Sequence, residues 1–201
     1  MLYDKDIREP LFEFLEELYG KVRIIEEKQM GRSRADVVMV RPQAVCGVEI
    51  KSDADTYARL KRQVQDYDKY YDYNYIVVGT THAKHVAEHV PEWWGIITVE
   101  LENEKTDFYL LREPKENPKV DWKRKMTLLW SPELVHIQEK NQLPKYKEKS
   151  KAFVIEKILL KVEKEQLREQ ISEELFERDY NTIADTIKKY RKDKILKRLG
   201  G

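Results

Sequence analysis

The stretch GRSRADVVMVRPQAVCGVEIKSD, Gly31 to Asp53, decides how this chain is read. Val37 to Val40 and Val45 to Lys51 are rich in β-branched residues. Arg41 to Ala44, with a proline, separates them, so the pattern predicts a β-hairpin with a four-residue loop. If Val40 pairs with Val45, the register puts Asp36 opposite Glu49. Opposed residues of an antiparallel pair share a face, with Cβ atoms about 4.5–5.5 Å apart. Alternation places Lys51 on the face of Glu49 and turns Ile50 away. Two carboxylates and one ammonium therefore converge, and one residue of slippage would separate them.

Close carboxylates repel one another and favour a bound cation. Hard oxygen donors suit Mg²⁺ or Mn²⁺. Such an ion polarises a phosphate and acidifies bound water, and a neighbouring lysine orients that water or offsets charge on the phosphorus centre. Taken alone, the same D…ExK pattern also fits a surface ion triad on a hairpin.

Working outward, Ile7, Leu11, Phe14, Leu15 and Leu18 recur at helical spacing, and Gly20 ends the run. Pro10 is expected near that helix's start, because an interior proline kinks a helix. Val22 to Glu27 reads as a short strand. After the hairpin, Tyr57, Leu60, Val64, Tyr67 and Tyr71 alternate at three and four residues and predict a helix. Tyr75 to Gly79 is a buried-type strand, Ala83 to His89 a short helix, and residues 95–101 with 108–111 a second hairpin. Residues 113–121 (EPKENPKVD) are polar with two prolines and read as a linker. Beyond them the pattern is helical only, with Ile155, Ile158, Leu159, Val162, Leu167, Ile171 and Leu175 at helical spacing. The expected organisation is a mixed α/β domain over 1–112, a linker over 113–125 and a helical extension over 126–201. That extension is a candidate surface for a homodimer or a protein partner.

The chain has 201 residues, and its 38 Lys and Arg nearly cancel its 37 Asp and Glu. The net charge of +1 therefore decides nothing about nucleic acid, and local distribution must be read instead. Residues 179–201 hold seven Lys or Arg against three acids, so this basic end is a candidate for tracking a phosphate backbone. The single cysteine, Cys46, allows neither an internal disulfide nor a cysteine zinc site. A charged N-terminus and the lack of a long apolar window lead to the expectation of a cytoplasmic protein that spans no membrane.

The Asp36, Glu49 and Lys51 set, followed by a helix with Gln63 and Tyr67, resembles the PD-(D/E)XK nuclease superfamily. Ala35-Asp36 matches its first half-motif, with alanine for proline. Glu49-Ile50-Lys51 matches the second, and Gln63-x-x-x-Tyr67 matches the QxxxY element of the RecB-like branch. Asp6–Arg8 (DIR), Arg34–Asp36 (RAD), Glu49–Thr56 (EIKSDADT), Arg59–Val64 (RLKRQV) and Pro91–Ile97 (PEWWGII) are similar to a small bacterial and phage family near the MmcB-like DNA-repair endonucleases. The resemblance implies a restriction-endonuclease-like α/β core and a Mg²⁺- or Mn²⁺-dependent nuclease acting on DNA. It implies that Asp36, Glu49 and the backbone carbonyl of Ile50 hold the metal, that Lys51 positions water, and that Gln63 orients the site. Glu26 is the candidate third carboxylate, ahead of Glu27. A silent nucleic-acid-binding module, or a subunit acting through its helices, is the alternative.

Other residues have plainer readings. Arg32 and Arg34 either touch phosphates or belong to a charged turn. Tyr67 either contacts nucleic acid or packs on the sheet. His82, His85 and His89 could line one helix face, though a solvated surface is the simpler account. Trp93 and Trp94 suit core packing better than base stacking, and Cys46 suits a buried thiol.

Overall fold

The computed structural model describes residues 2–103 and 105–178. The basic end that the sequence offered as a nucleic-acid tether lies outside these residues. Helix α1 (Asp4–Tyr19) leads into three strands, β1 (Arg23–Met30), β2 (Ser33–Arg41) and β3 (Ala44–Lys51). Helix α2 (Leu60–Tyr70) follows a 3-10 turn over Tyr57–Arg59 and crosses to β4 (Tyr73–Gly79). A short α3 (Thr80–Ala83) precedes the hairpin of β5 (Gly95–Glu102) and β6 (Lys105–Arg112). Four helices complete the described chain: α4 (Trp122–Lys125), α5 (Ser131–Lys140), α6 (Lys151–Leu159) and α7 (Lys164–Phe176).

The six strands form one sheet in sequence order. β1, β2 and β3 are an antiparallel meander, β3, β4 and β5 are parallel, and β6 returns antiparallel. The mixed α/β fold expected from the sequence is thus the fold observed. All eight residues of β3 are buried, as suits a central strand covered on both faces. One face packs on α1 through Ile7, Leu11 and Leu15, with Val37, Met39, Cys46, Val48 and Ile50 beneath. Cys46 is a buried thiol, its pKa pushed up to about 12 by burial. The other face carries Val38, Val40 and Val45 under Leu60, Val64 and Tyr67 of α2 and Tyr71 just beyond its end.

Several expectations need correction. The hairpin loop is two residues, Pro42 and Gln43, because Arg41 still pairs with Ala44; the Val40–Val45 register is as read. Pro10 sits inside α1, not at its start, since the helix begins at Asp4. The helix expected over Ala83–His89 is only α3 and a 3-10 turn at Val86–Glu88, with Val86 its one buried residue. The helical pattern from Lys151 to Glu177 divides into α6 and α7, where Val162 and Leu167 break the spacing by three and four.

The segment 113–121 is a strap, not a free linker. Asn117 is buried, and its amide donates to the carbonyls of Asp68 and Tyr71, both at 2.7 Å. The Lys115 and Asp121 N–H groups donate to the carbonyls of Trp93 and Lys69. Beyond it, Met126, Leu128, Leu134, Ile137, Ile155, Ile158, Leu167 and Ile171 join the same core as Tyr67 and Ile76. These apolar side chains of the described C-terminal helices are therefore used within the chain. A buried ion pair, Lys125 to Asp72 at 2.5 Å, adds to this joint. No described helix is long and apolar enough to cross a membrane.

Candidate active site

The site lies where β2 and β3 leave the hairpin and pass under α2. Val37 faces Val48, so the next position along brings Asp36 beside Glu49. The Asp36 carboxylate accepts the Ile50 N–H at 2.9 Å. On β3, Lys51 reaches back along the strand and places Nζ 2.5 Å from Glu49 Oε1. Gln63 Nε2 of α2 donates to the same oxygen. The Tyr67 hydroxyl donates to Glu49 Oε2 at 2.8 Å and accepts the Asp36 N–H at 3.2 Å.

Gly47 makes this contact between helix and strand possible. A Cβ at position 47 would collide with the rings of Tyr67 and Tyr71. Without one, the rings lie directly on the β3 backbone, and the Tyr67 hydroxyl arrives at Glu49 one turn from Gln63.

The electrostatics follow from burial. Glu49 is fully buried and Lys51 nearly so, while the Asp36 side chain is 21% exposed. Burial raises the Glu49 pKa to about 7; the Asp36 charge adds to this, and the contacts with Lys51 and Tyr67 oppose it. Burial also raises Asp36, against the Ile50 N–H, Lys51 and Arg8. Two carboxylates held near one another in a dry site favour any arrangement that shares positive charge between them.

Arg8 of α1 is a participant that the residue reading missed. Its guanidinium donates to the Asp36 carbonyl at 3.3 Å and lies 3.8 Å from the Asp36 carboxylate. It also reaches Asp4 at 2.6 Å and Glu26 at 3.4 Å. The available signal was the DIR string, which entered the resemblance only as a matching piece.

Other candidates fall elsewhere. Glu26 does not join the pair: its side chain is 52% exposed and bound to Arg8. Glu27 has φ 52° and pairs with Arg34 at 3.1 Å. Among the described residues no three Asp, Glu, His or Cys side chains are grouped to hold an ion. Tyr67 is fully buried, so it cannot touch nucleic acid and instead holds Glu49. Arg32 is exposed on the turn. His82 and His89 flank the Tyr57 ring at 4.8 and 4.2 Å, and His85 faces Glu88, so the three share no face. Trp93 and Trp94 donate their indole N–H groups to Asp68.

A divalent cation is tested by the donors present. Asp36 and Glu49 supply hard carboxylate oxygens. Beside them the Gln63 amide oxygen is buried with no hydrogen-bond partner, and such an atom normally finds one. That donor set fits a hard, oxygen-seeking ion.

Fold and site together define a mixed-sheet α/β protein with a carboxylate–lysine cluster on its central hairpin. The chain belongs to the family described as bacteriophage P4 protein cII, whose model matches residues 2–198. That match runs through the strap, from the sheet into the C-terminal helices. No curated protein matches the chain. Among solved structures, it is similar to Pyrococcus furiosus SfsA in complex with Ca²⁺, at 19% identity and a TM-score of 0.34. The similarity covers 52% of this chain and 60% of that one, so the chain spans less than two thirds of that protein.

Proposed function

We propose that this protein is a metal-dependent nuclease of the PD-(D/E)XK type that hydrolyses DNA phosphodiester bonds, with Asp36, Glu49 and Lys51 at its centre. The observation that carries the reading is the convergence of these residues: Asp36 beside Glu49, with Lys51 Nζ 2.5 Å from the Glu49 carboxylate. Asp36, Glu49 and the Ile50 carbonyl would hold Mg²⁺ or Mn²⁺, with the Gln63 amide oxygen adjoining. When bound, the ion supplies a polarised phosphate and an acidified water. Lys51 holds the attacking water and offsets charge gathering on the phosphate oxygens. Gln63 and Tyr67 fix the Glu49 carboxylate, so that its geometry is set before substrate arrives. Arg8 offsets the Asp36 charge in the metal-free protein and would give way to the ion.

A second reading, a binding module that does not cleave, draws on one observation. Each carboxylate already has a cation beside it, Arg8 at Asp36 and Lys51 at Glu49. The test is cleavage of single- and double-stranded DNA with Mg²⁺ or Mn²⁺. Wild type should cut, and Asp36→Ala and Lys51→Ala should lose at least roughly a hundredfold of the rate. Cutting that persists in both variants overturns the site. DNA binding without turnover in either metal selects the second reading.

A further inference from the structure

Charge is segregated in this molecule although it balances overall, with 38 basic against 37 acidic residues. On α1, covering one face of the sheet, Asp4, Asp6, Glu9, Glu13, Glu16 and Glu17 outnumber Lys5 and Arg8. A groove of about 870 Å³ lies against α1, and its lining sets Asp6, Glu13, Glu17 and Asp107 against the single cation Lys105, so phosphate is repelled from it. On α7 both signs are present, Lys164 and Arg168 against Glu165, Glu169, Glu173 and Glu174. The helix that holds Glu49 differs from both.

The exposed residues of α2 and its preceding turn include Arg59, Lys61, Arg62 and Gln65. Both acids of α2 are buried and engaged. Asp66 accepts from Ser33 Oγ at 2.5 Å, and Asp68 accepts from Trp93 and Trp94. The outer face of this helix therefore carries cations and no acid. Arg59, Lys61 and Arg62 have no ion pair among the described residues. Arg59 and Arg62 stand within one turn of Gln63, which touches Glu49. At the other end, the turn bearing exposed Arg32 is tied to α2 through Ser33 and Asp66. The strip from Arg59 to Lys69 runs about 15 Å at the helical rise.

We propose that this face of α2, with Arg32 at its end, is the seat of the phosphodiester chain whose scissile bond lies at Asp36 and Glu49. This assignment rests on the nuclease reading and adds where the substrate lies. Cations spaced along a helix neutralise successive phosphates and release counterions, giving affinity without sequence preference. An ion-paired arginine such as Arg34, held by Glu27, contributes less.

The test measures fluorescence anisotropy of labelled single-stranded and duplex DNA in EDTA, where nothing is cut, across a salt series. The triple variant Arg59→Gln, Lys61→Gln, Arg62→Gln is compared with wild type. A control removes equal charge elsewhere through Lys147→Gln, Lys161→Gln, Lys164→Gln. The α2 variant should bind roughly tenfold or more weakly at low salt, with a log–log salt slope shallower by about 2–3. The control should stay near wild type, and the two substrates show which strandedness the strip prefers. An unchanged slope in the α2 variant, or an equal loss in the control, overturns the proposal while wild-type cutting leaves the nuclease reading standing. A wild type that neither binds nor cuts DNA removes both.

Discussion

Tyr67 joins the Glu49 carboxylate to the Asp36 backbone through one oxygen, donating to Glu49 and accepting the Asp36 N–H. In the sequence it was legible as a helical aromatic, but a helical aromatic suits a core, a surface or a ligand contact equally. Only the missing side chain at Gly47 brings the ring onto the strand, and that depends on which helix covers which glycine. Arg8 was hidden for a similar reason, because α1 touches Asp36 through tertiary packing that no local spacing encodes. Arg8 acts at Asp36 as a competitor to any ion. Arg8→Gln should therefore tighten Mn²⁺ binding roughly fivefold, measured calorimetrically without nucleic acid; unchanged or weaker binding would refute that role. Glu49 gives a pH signature. Its pKa rises from 4.5 to about 7 on burial, so the folded state binds more protons than the unfolded chain between those values. Stability of the metal-free protein should then fall as pH rises through that window. Urea midpoints in EDTA should show the fall, less steeply in Glu49→Gln. A wild-type midpoint that climbs with pH across this range would be incompatible with it.

At the scale of elements, the hairpin is the part that the sequence specified best. Val37 to Val40 and Val45 to Val48 alternate between faces that are both covered, so a slipped register would move Asp36 and Glu49 apart. The turn was misjudged by one residue on each side, because Arg41 and Ala44 carry no signal that separates loop from ladder. Pro10 was misjudged because proline marks where a hydrogen bond is lost, not where a helix must begin. The contact of α2 with β3 gives the sharpest prediction at this scale. Gly47→Ala introduces a methyl into the Tyr67 and Tyr71 rings. It should cost about 1–3 kcal/mol in denaturant unfolding. It should also weaken metal binding, because Tyr67 is displaced from Glu49. A variant as stable as wild type would mean that the rings do not lie on the strand as described.

For the whole molecule, the strap and C-terminal helices change what counts as a domain. Residues 113–121 read as a linker because their composition is polar, yet Asn117 is buried and bonded to two carbonyls of the α2 end. Composition reports the solvation of free residues and not of those a fold has enclosed. The helices complete the core above Tyr67, Tyr71 and Ile76. A chain ended at Arg112 would expose that apolar surface and leave Asp72 without Lys125. It should fail to unfold cooperatively in thermal denaturation, whereas an independently folding sheet domain would melt in a single sharp transition.

In the proposed function, Asp36 and Glu49 share one divalent ion. Anomalous diffraction from a crystal soaked in Mn²⁺ tests it most directly. A peak is expected about 2.0–2.3 Å from an oxygen of each carboxylate, with Arg8 drawn away from Asp36. Well-ordered carboxylates with no peak between them, Arg8 and Lys51 still in place, would contradict it.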